Sequence, residues 1–131
     1  MNDLEQAQSA GIAPWDLTVI DLSDFHVTVF EDRYPVAVGH LLFVPNYNTT
    51  TVIIDAFDSA LRHGQQLVEK GYCDGFNIGM NVGGEAGQTV MYPHVHLIPR
   101  RSGDCEDPVG GVRGVIAGQA NYKKSGYQQP A

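Results

Sequence analysis

Residues 88–100, QTVMYPHVHLIPR, decide how the rest of the chain is read. Alternation divides the run into two faces. Met91, Pro93, Val95 and Leu97 are apolar and belong against a covering layer, while Tyr92, His94 and His96 share the other face with Val90 and Ile98. The pattern predicts a strand over residues 90 to 98, with two imidazoles two positions apart on one side of it.

The preceding stretch, DGFNIGMNV (74–82), alternates in the same way. Phe76, Ile78, Met80 and Val82 form an apolar face, and Asn77, Gly79 and Asn81 form a sparsely filled polar one. Joined through the glycine-rich GGEAGQ (83–88), the two strands merge their polar faces into a floor with room for a ligand. Upstream, LTVIDL (17–22) and FHVTVFED (25–32) read as a hairpin around Ser23-Asp24, and GHLLFVP (39–45) reads as a further strand. From Val52 to Lys70 a helix is predicted, with Ile54, Phe57, Leu61, Gly64 and Val68 as its inward stripe and Gly71 as its stop. Gly64 is a point of close approach for a neighbour. From Ser102 onward the chain is irregular. The expected architecture is α+β: an antiparallel sheet of about five strands, one long helix on one face and a short N-terminal segment.

With 131 residues, the chain has room for one domain, taken as 1–131 with an irregular tail from about 102. A hydrophobic content of 43% and no apolar run long enough to span a bilayer give an ordinary globular chain. The start, MNDLEQAQSAG, is acidic and polar, unlike a signal peptide, so a cytoplasmic location is expected. Cys73 and Cys105 lack the short spacing of a structural zinc site and read as free thiols. A formal net charge of −7 argues against general nucleic-acid binding. The bases are skewed: Arg33 stands alone in the first 60 residues, whereas Arg100, Arg101, Arg113, Lys123 and Lys124 fall late. Arg100 and Arg113 are candidates for an anionic ligand.

Three chemistries use two imidazoles on one strand face. Metal binding needs a third ligand, from His40, His26 or a distant carboxylate, and none stands at ligand spacing. General acid–base work on a neutral substrate is the second. The third is attack on phosphorus by one imidazole, with the other and nearby amides stabilising the phosphoryl oxygens. The GGEAGQT loop, able to present backbone N–H groups to an anion, favours the third.

The segment 74–101, together with GHLLFVP (39–45) and the tail GDCEDPVGGVRGVI (103–116), resembles the histidine-triad (HIT) family of nucleotide hydrolases and transferases. The family motif is His-φ-His-φ-His-φ-φ. Here His94 matches the middle, nucleophilic histidine, His96 the third, and Tyr92 stands where the first is expected. The resemblance implies a homodimer with joined sheets and one mononucleotide pocket per subunit. It implies further that Asp32 accepts from ribose hydroxyls, that Asn81, Gly87, Gln88 and Thr89 surround the α-phosphate, and that His40 belongs to the substrate site. It implies no cofactor. The family's N-terminal zinc cysteines are absent, and Asn48 replaces a histidine usual after the equivalent of Pro45, so no metal is expected.

The implied activity is attack at a nucleoside α-phosphate through a nucleotidyl-histidine. Dinucleoside polyphosphates, nucleoside phosphoramidates and ADP-like compounds all fit such a site. Tyr92 is expected to keep a hydroxyl on the catalytic face and to modulate turnover. The alternatives are a nucleotide-binding protein with little catalysis and a His-x-His metal protein. No nucleic-acid or membrane partner is expected.

Overall fold

The structure is a computed structural model, and it describes residues 1–124 and 127–130. Two compact units are distinguished, Met1–Arg100 and Arg101–Ala131. In the first, an antiparallel sheet runs in the order β1-β2-β4-β3, formed by β1 (Val27–Glu31), β2 (Leu41–Pro45), β3 (Gly75–Gly79) and β4 (Val95–Arg100). Helix α1 (Asp3–Ser9) precedes the sheet and α2 (Thr50–Glu69) connects β2 to β3. The α+β class and the single open antiparallel sheet agree with the sequence. The strand count is four among the described residues, and the reason lies in the first hairpin.

Its leading arm is tied to β1 by Val19 N–H to the Val29 carbonyl, Glu31 N–H to the Leu17 carbonyl and a lone bridge from Thr18 to Phe30. Residues Ile20–Leu22 then close into a 3₁₀ turn in place of a strand. Polar side chains account for the break. Ser23 donates its hydroxyl to the Val19 carbonyl and accepts from Val29 N–H, while the Asp24 carboxylate accepts from His26 and Val27 N–H. Competing local bonds convert the arm into a turn that launches β1.

Helix α2 is capped by the Thr49 hydroxyl, which accepts from Val52 N–H, and ends at Gly71, whose φ of 78° only glycine adopts readily. Its buried positions are Ala56, Ala60 and Gly64, with Phe57 and Leu67 partly buried beside them. The expected stripe is therefore rotated: Ile54, Leu61 and Val68 are 58%, 42% and 37% exposed. Small residues let the helix approach the sheet closely, which large ones at the same positions would prevent. At Gly64 a β-carbon would lie 2.6 Å from the Phe76 ring. Under α2 the sheet contributes Val27, Val29, Leu41, Phe43, Val95 and Leu97 to the main core.

The opposite face of the sheet is also packed over part of its area. Phe30, Leu42 and Val44 meet Leu4 and Ala7 of α1, Ala13 and Tyr92, with Trp15 against them. Helix α1 begins with a capping box between Asn2 and Glu5. β2 is consequently buried along its whole length, as expected of a strand covered on both sides.

β4 starts at Val95 and not near residue 90, because Pro93 lacks an amide to donate and the chain bends before it. The predicted alternation fails at Met91, which is 59% exposed, and holds at Tyr92, which is buried in the second cluster on the face opposite α2. β3 ends at Gly79, leaving Asn81 and the exposed Val82 outside the ladder.

The second unit contains a 3₁₀ turn at Gly111–Val115 and is held by its own polar bonds. Asp107 accepts from Asn121 Nδ2 and from Val109 N–H. Among the described residues, no helix is long and apolar enough to cross a membrane. Cys73 is buried and Cys105 exposed, both as free thiols.

Candidate active site

A cavity of about 400 Å³ opens beside the second cluster. Its wall includes His94 and His96 from the β4 region, Asp32 after β1, and Asn81, Gly87 and Thr89 from the β3–β4 connection. These six sequence-predicted residues are thus brought together. Leu42, Trp15, Asp16 and Arg33 also line the wall and were not anticipated from sequence.

The hydrogen-bond partners of the three clustered imidazoles fix their protons. His94 Nδ1 lies 2.8 Å from the Tyr92 carbonyl, which can only accept, so Nδ1 carries the hydrogen and Nε2 keeps its lone pair. His40 Nδ1 accepts from Val36 N–H at 3.1 Å, so the neutral His40 ring carries its hydrogen on Nε2. That Nε2–H donates across 2.9 Å to His96 Nδ1, which in turn places the His96 hydrogen on Nε2. Two neighbouring rings on one strand therefore have opposite tautomers: His94 offers a nucleophilic nitrogen and His96 offers a donor.

Burial holds His96 in that neutral form. Its pKa falls to about 4, chiefly through desolvation, with the neighbouring His94 and His40 adding to the shift and Asp32 opposing it. Desolvation lowers His40 as well, again against the pull of Asp32. The Asp32 carboxylate lies 3.5 Å from His40 Nε2 and accepts from Tyr34 N–H at 2.8 Å. The His94 ring is backed by Trp15, with centroids 4.9 Å apart.

Asp32, His40 and His96 place one ligand atom each within 4.8 Å of one another, a grouping of the size a metal needs. A third ligand position thus exists that spacing in the sequence does not announce. The donor set does not fit a cation, however. His40 Nε2 bears a hydrogen because its other nitrogen is occupied by Val36 N–H, and a protonated nitrogen has no lone pair to give.

Four predicted residues play different parts. His40 is buried behind His96 and does not line the cavity; it orients that ring. The Gln88 side chain accepts from Gly83 N–H and donates to the Val90 and Met91 carbonyls, so it folds the loop. The amides of Gly87 and Gln88 likewise donate inside the loop, to Gly84 and Gly83, and are not aimed at an anion. Arg113 belongs to the second unit, where its Nε donates to the Ala120 carbonyl and its guanidinium lies over Tyr122. Arg100 donates to Asn77 across β3 and β4.

Tyr92 departs most from expectation. Its hydroxyl donates to the Pro45 carbonyl at 2.6 Å within the apolar cluster and does not line the cavity. Burial pushes its pKa up to about 12, with a smaller contribution from Asp3. What Tyr92 gives the site is its backbone carbonyl.

Comparison with known proteins agrees with this architecture. The HIT domain family model matches residues 18–103. The chain belongs to the HIT family. It is 37% identical over 83 residues to the asymmetrical bis(5'-nucleosyl)-tetraphosphatase of Schizosaccharomyces pombe, covering 57% of this chain and 45% of that protein. To the adenosine 5'-monophosphoramidase of Saccharomyces cerevisiae it is 32% identical over 100 residues, 74% of this chain and 61% of the relative. Both matches thus span less than two thirds of the relative's length. A zinc-bound histidine triad family protein from Mycobacterium smegmatis superimposes with a TM-score of 0.62 at 30% identity, over 75% of this chain and 74% of that one.

Proposed function

We propose that the protein is a hydrolase or nucleotidyl transferase acting at a nucleoside α-phosphate, with His94 as the nucleophile. The observation that carries this reading is the bond from His94 Nδ1–H to the Tyr92 carbonyl, which leaves Nε2 unprotonated toward the cavity. Attack by Nε2 forms an N–P bond as the bond from phosphorus to the leaving group breaks, and the leaving group departs with the electron pair. Water then attacks the nucleotidyl-histidine, releasing the mononucleotide and restoring His94. His96 Nε2–H donates to a phosphoryl oxygen, and Asn81 and Thr89 supply polar contacts at the same end. Asp32 accepts from the ribose. One well-aimed donor of this kind contributes about 3–4 kcal/mol to the transition state.

Neither His96 nor Tyr92 supplies a ready proton to the departing group in this scheme, since His96 is neutral and the Tyr92 hydroxyl is held by Pro45. Substrates with phosphoanhydride or other stable leaving groups suit such a site. The test is a panel of dinucleoside polyphosphates, nucleoside phosphoramidates and ADP-like compounds, with products identified by mass and a chelator in one arm. Release of a mononucleotide in both arms is expected. Binding without turnover across the panel would favour a nucleotide-binding protein instead.

The same reading includes a homodimer. β3 forms an open sheet edge, and Ile54, Leu61 and Val68 leave an apolar stripe at seven-residue intervals on α2. Light scattering at high concentration should give twice the 14.2 kDa chain mass. A monomer would reject it.

A further inference from the structure

Two segments far apart in sequence meet across the cavity mouth through an ion pair. Asp16 follows Trp15 on the N-terminal connection, Arg33 follows Asp32 after β1, and an Arg33 terminal nitrogen donates to the Asp16 carboxylate. Both side chains line the cavity and both are more than half exposed, so nothing in the hydrophobic core requires them. An exposed pair of this type adds little to stability. Its position is informative. Arg33 adjoins the carboxylate assigned to the ribose, and Trp15 supplies an aromatic wall whose other contacts, Phe30 and His94, hold the indole in place.

We infer that the Asp16–Arg33 pair reads the edge of the nucleobase held beside Trp15 and makes the site selective for guanine over adenine. The inference rests on the nucleotide reading above and adds the substrate's base. Only one Asp16 oxygen is used by Arg33, which leaves a carboxylate oxygen and further guanidinium N–H groups available to a ligand. Guanine presents O6 as an acceptor next to N1–H and the 2-amino group as donors. Arg33 donates to O6 while Asp16 accepts from N1–H and the amino group, so both charges stay paired. Adenine has no donor at N1 and no 2-amino group, which removes the two-point contact to Asp16. Pyrimidines carry less ring area to lie against the indole.

Trp15 is the only tryptophan in the chain, so its fluorescence reports the occupant directly. The experiment titrates GMP, AMP, CMP and UMP into the full chain and into Asp16→Asn and Arg33→Gln, following Trp15 quenching and checking folding by thermal melting. Wild type should bind GMP about tenfold more tightly than AMP, the scale of one good two-point contact. Either substitution should bring that ratio close to one by weakening GMP. A wild-type ratio near one with nucleotides still binding would overturn the base assignment alone. Persistence of the ratio in both folded variants would overturn the pair's role. Absence of binding by all four nucleotides would overturn the nucleotide reading together with it.

Discussion

The Nδ1–H of His94 donates to the backbone carbonyl of Tyr92, two residues earlier, at 2.8 Å. Because the acceptor is main chain, the contact survives whatever side chain occupies position 92. The Tyr92 side chain is thereby free to serve the core, where its hydroxyl reaches the Pro45 carbonyl.

Opposite tautomers at His94 and His96 are directly observable. In ¹⁵N-edited spectra at neutral pH, His94 should appear protonated at Nδ1 and His96 at Nε2. Replacing His40 with Leu removes the donor that fixes His96 and should mix its tautomers while leaving His94 unchanged. A single Nδ1-protonated His96 in wild type would contradict the relay from Val36 through His40.

Tyr92→Phe should lower stability by about 1 kcal/mol, the net contribution of one hydrogen bond, and leave turnover close to wild type. The hydroxyl lies in the packed cluster and has no reacting group to protonate. Unfolding in urea and rates across leaving groups of differing basicity measure the two effects separately. A selective loss on poor leaving groups would return the hydroxyl to the chemistry.

At Gly64, alanine gains helix propensity but puts its β-carbon 2.6 Å from the Phe76 ring. Overpacking of that kind outweighs the propensity gain, so Gly64→Ala should destabilise by about 1–3 kcal/mol. A shift of the urea midpoint to higher concentration would show that α2 retreats from β3 without penalty.

Stability should fall on acidification before most carboxylates titrate. His96 has a pKa near 4 when folded against 6.5 in the free side chain, so between those values the unfolded chain binds more protons. Stability from this source is complete above pH 6.5 and is lost progressively as the pH falls toward 4. His40 and His63, both lowered chiefly by burial, act in the same direction. Melting temperatures flat from pH 7 to pH 4.5 would contradict the buried neutral rings.

How much of this the sequence reveals depends on the range of the interaction. Period-two alternation identifies the faces of β3 and of residues 95 to 98, because each strand there is covered by α2 on one side. The same reasoning fails at Met91, which is exposed where Pro93 interrupts the ladder, although Tyr92 keeps its expected face within the second cluster. On α2, size misleads: Ile54, Leu61 and Val68 look like the buried stripe, yet Ala56, Ala60 and Gly64 take it because the helix packs close. Trp15 and the Asp16–Arg33 pair leave no local trace, since their meaning arises only when the N-terminal connection reaches the end of β1. The adjacency of Arg33 to Asp32 is the one signal that marks that residue in advance.

The nucleophile is tested most directly by trapping it. The protein is mixed with a dinucleoside polyphosphate, quenched in base to preserve the N–P bond, digested and examined by mass spectrometry. A nucleotidyl group on His94 is expected in wild type, and neither adduct nor turnover in His94→Ala that still binds the nucleotide. Wild-type turnover by His94→Ala, or a nucleotidyl adduct on another residue, would contradict it.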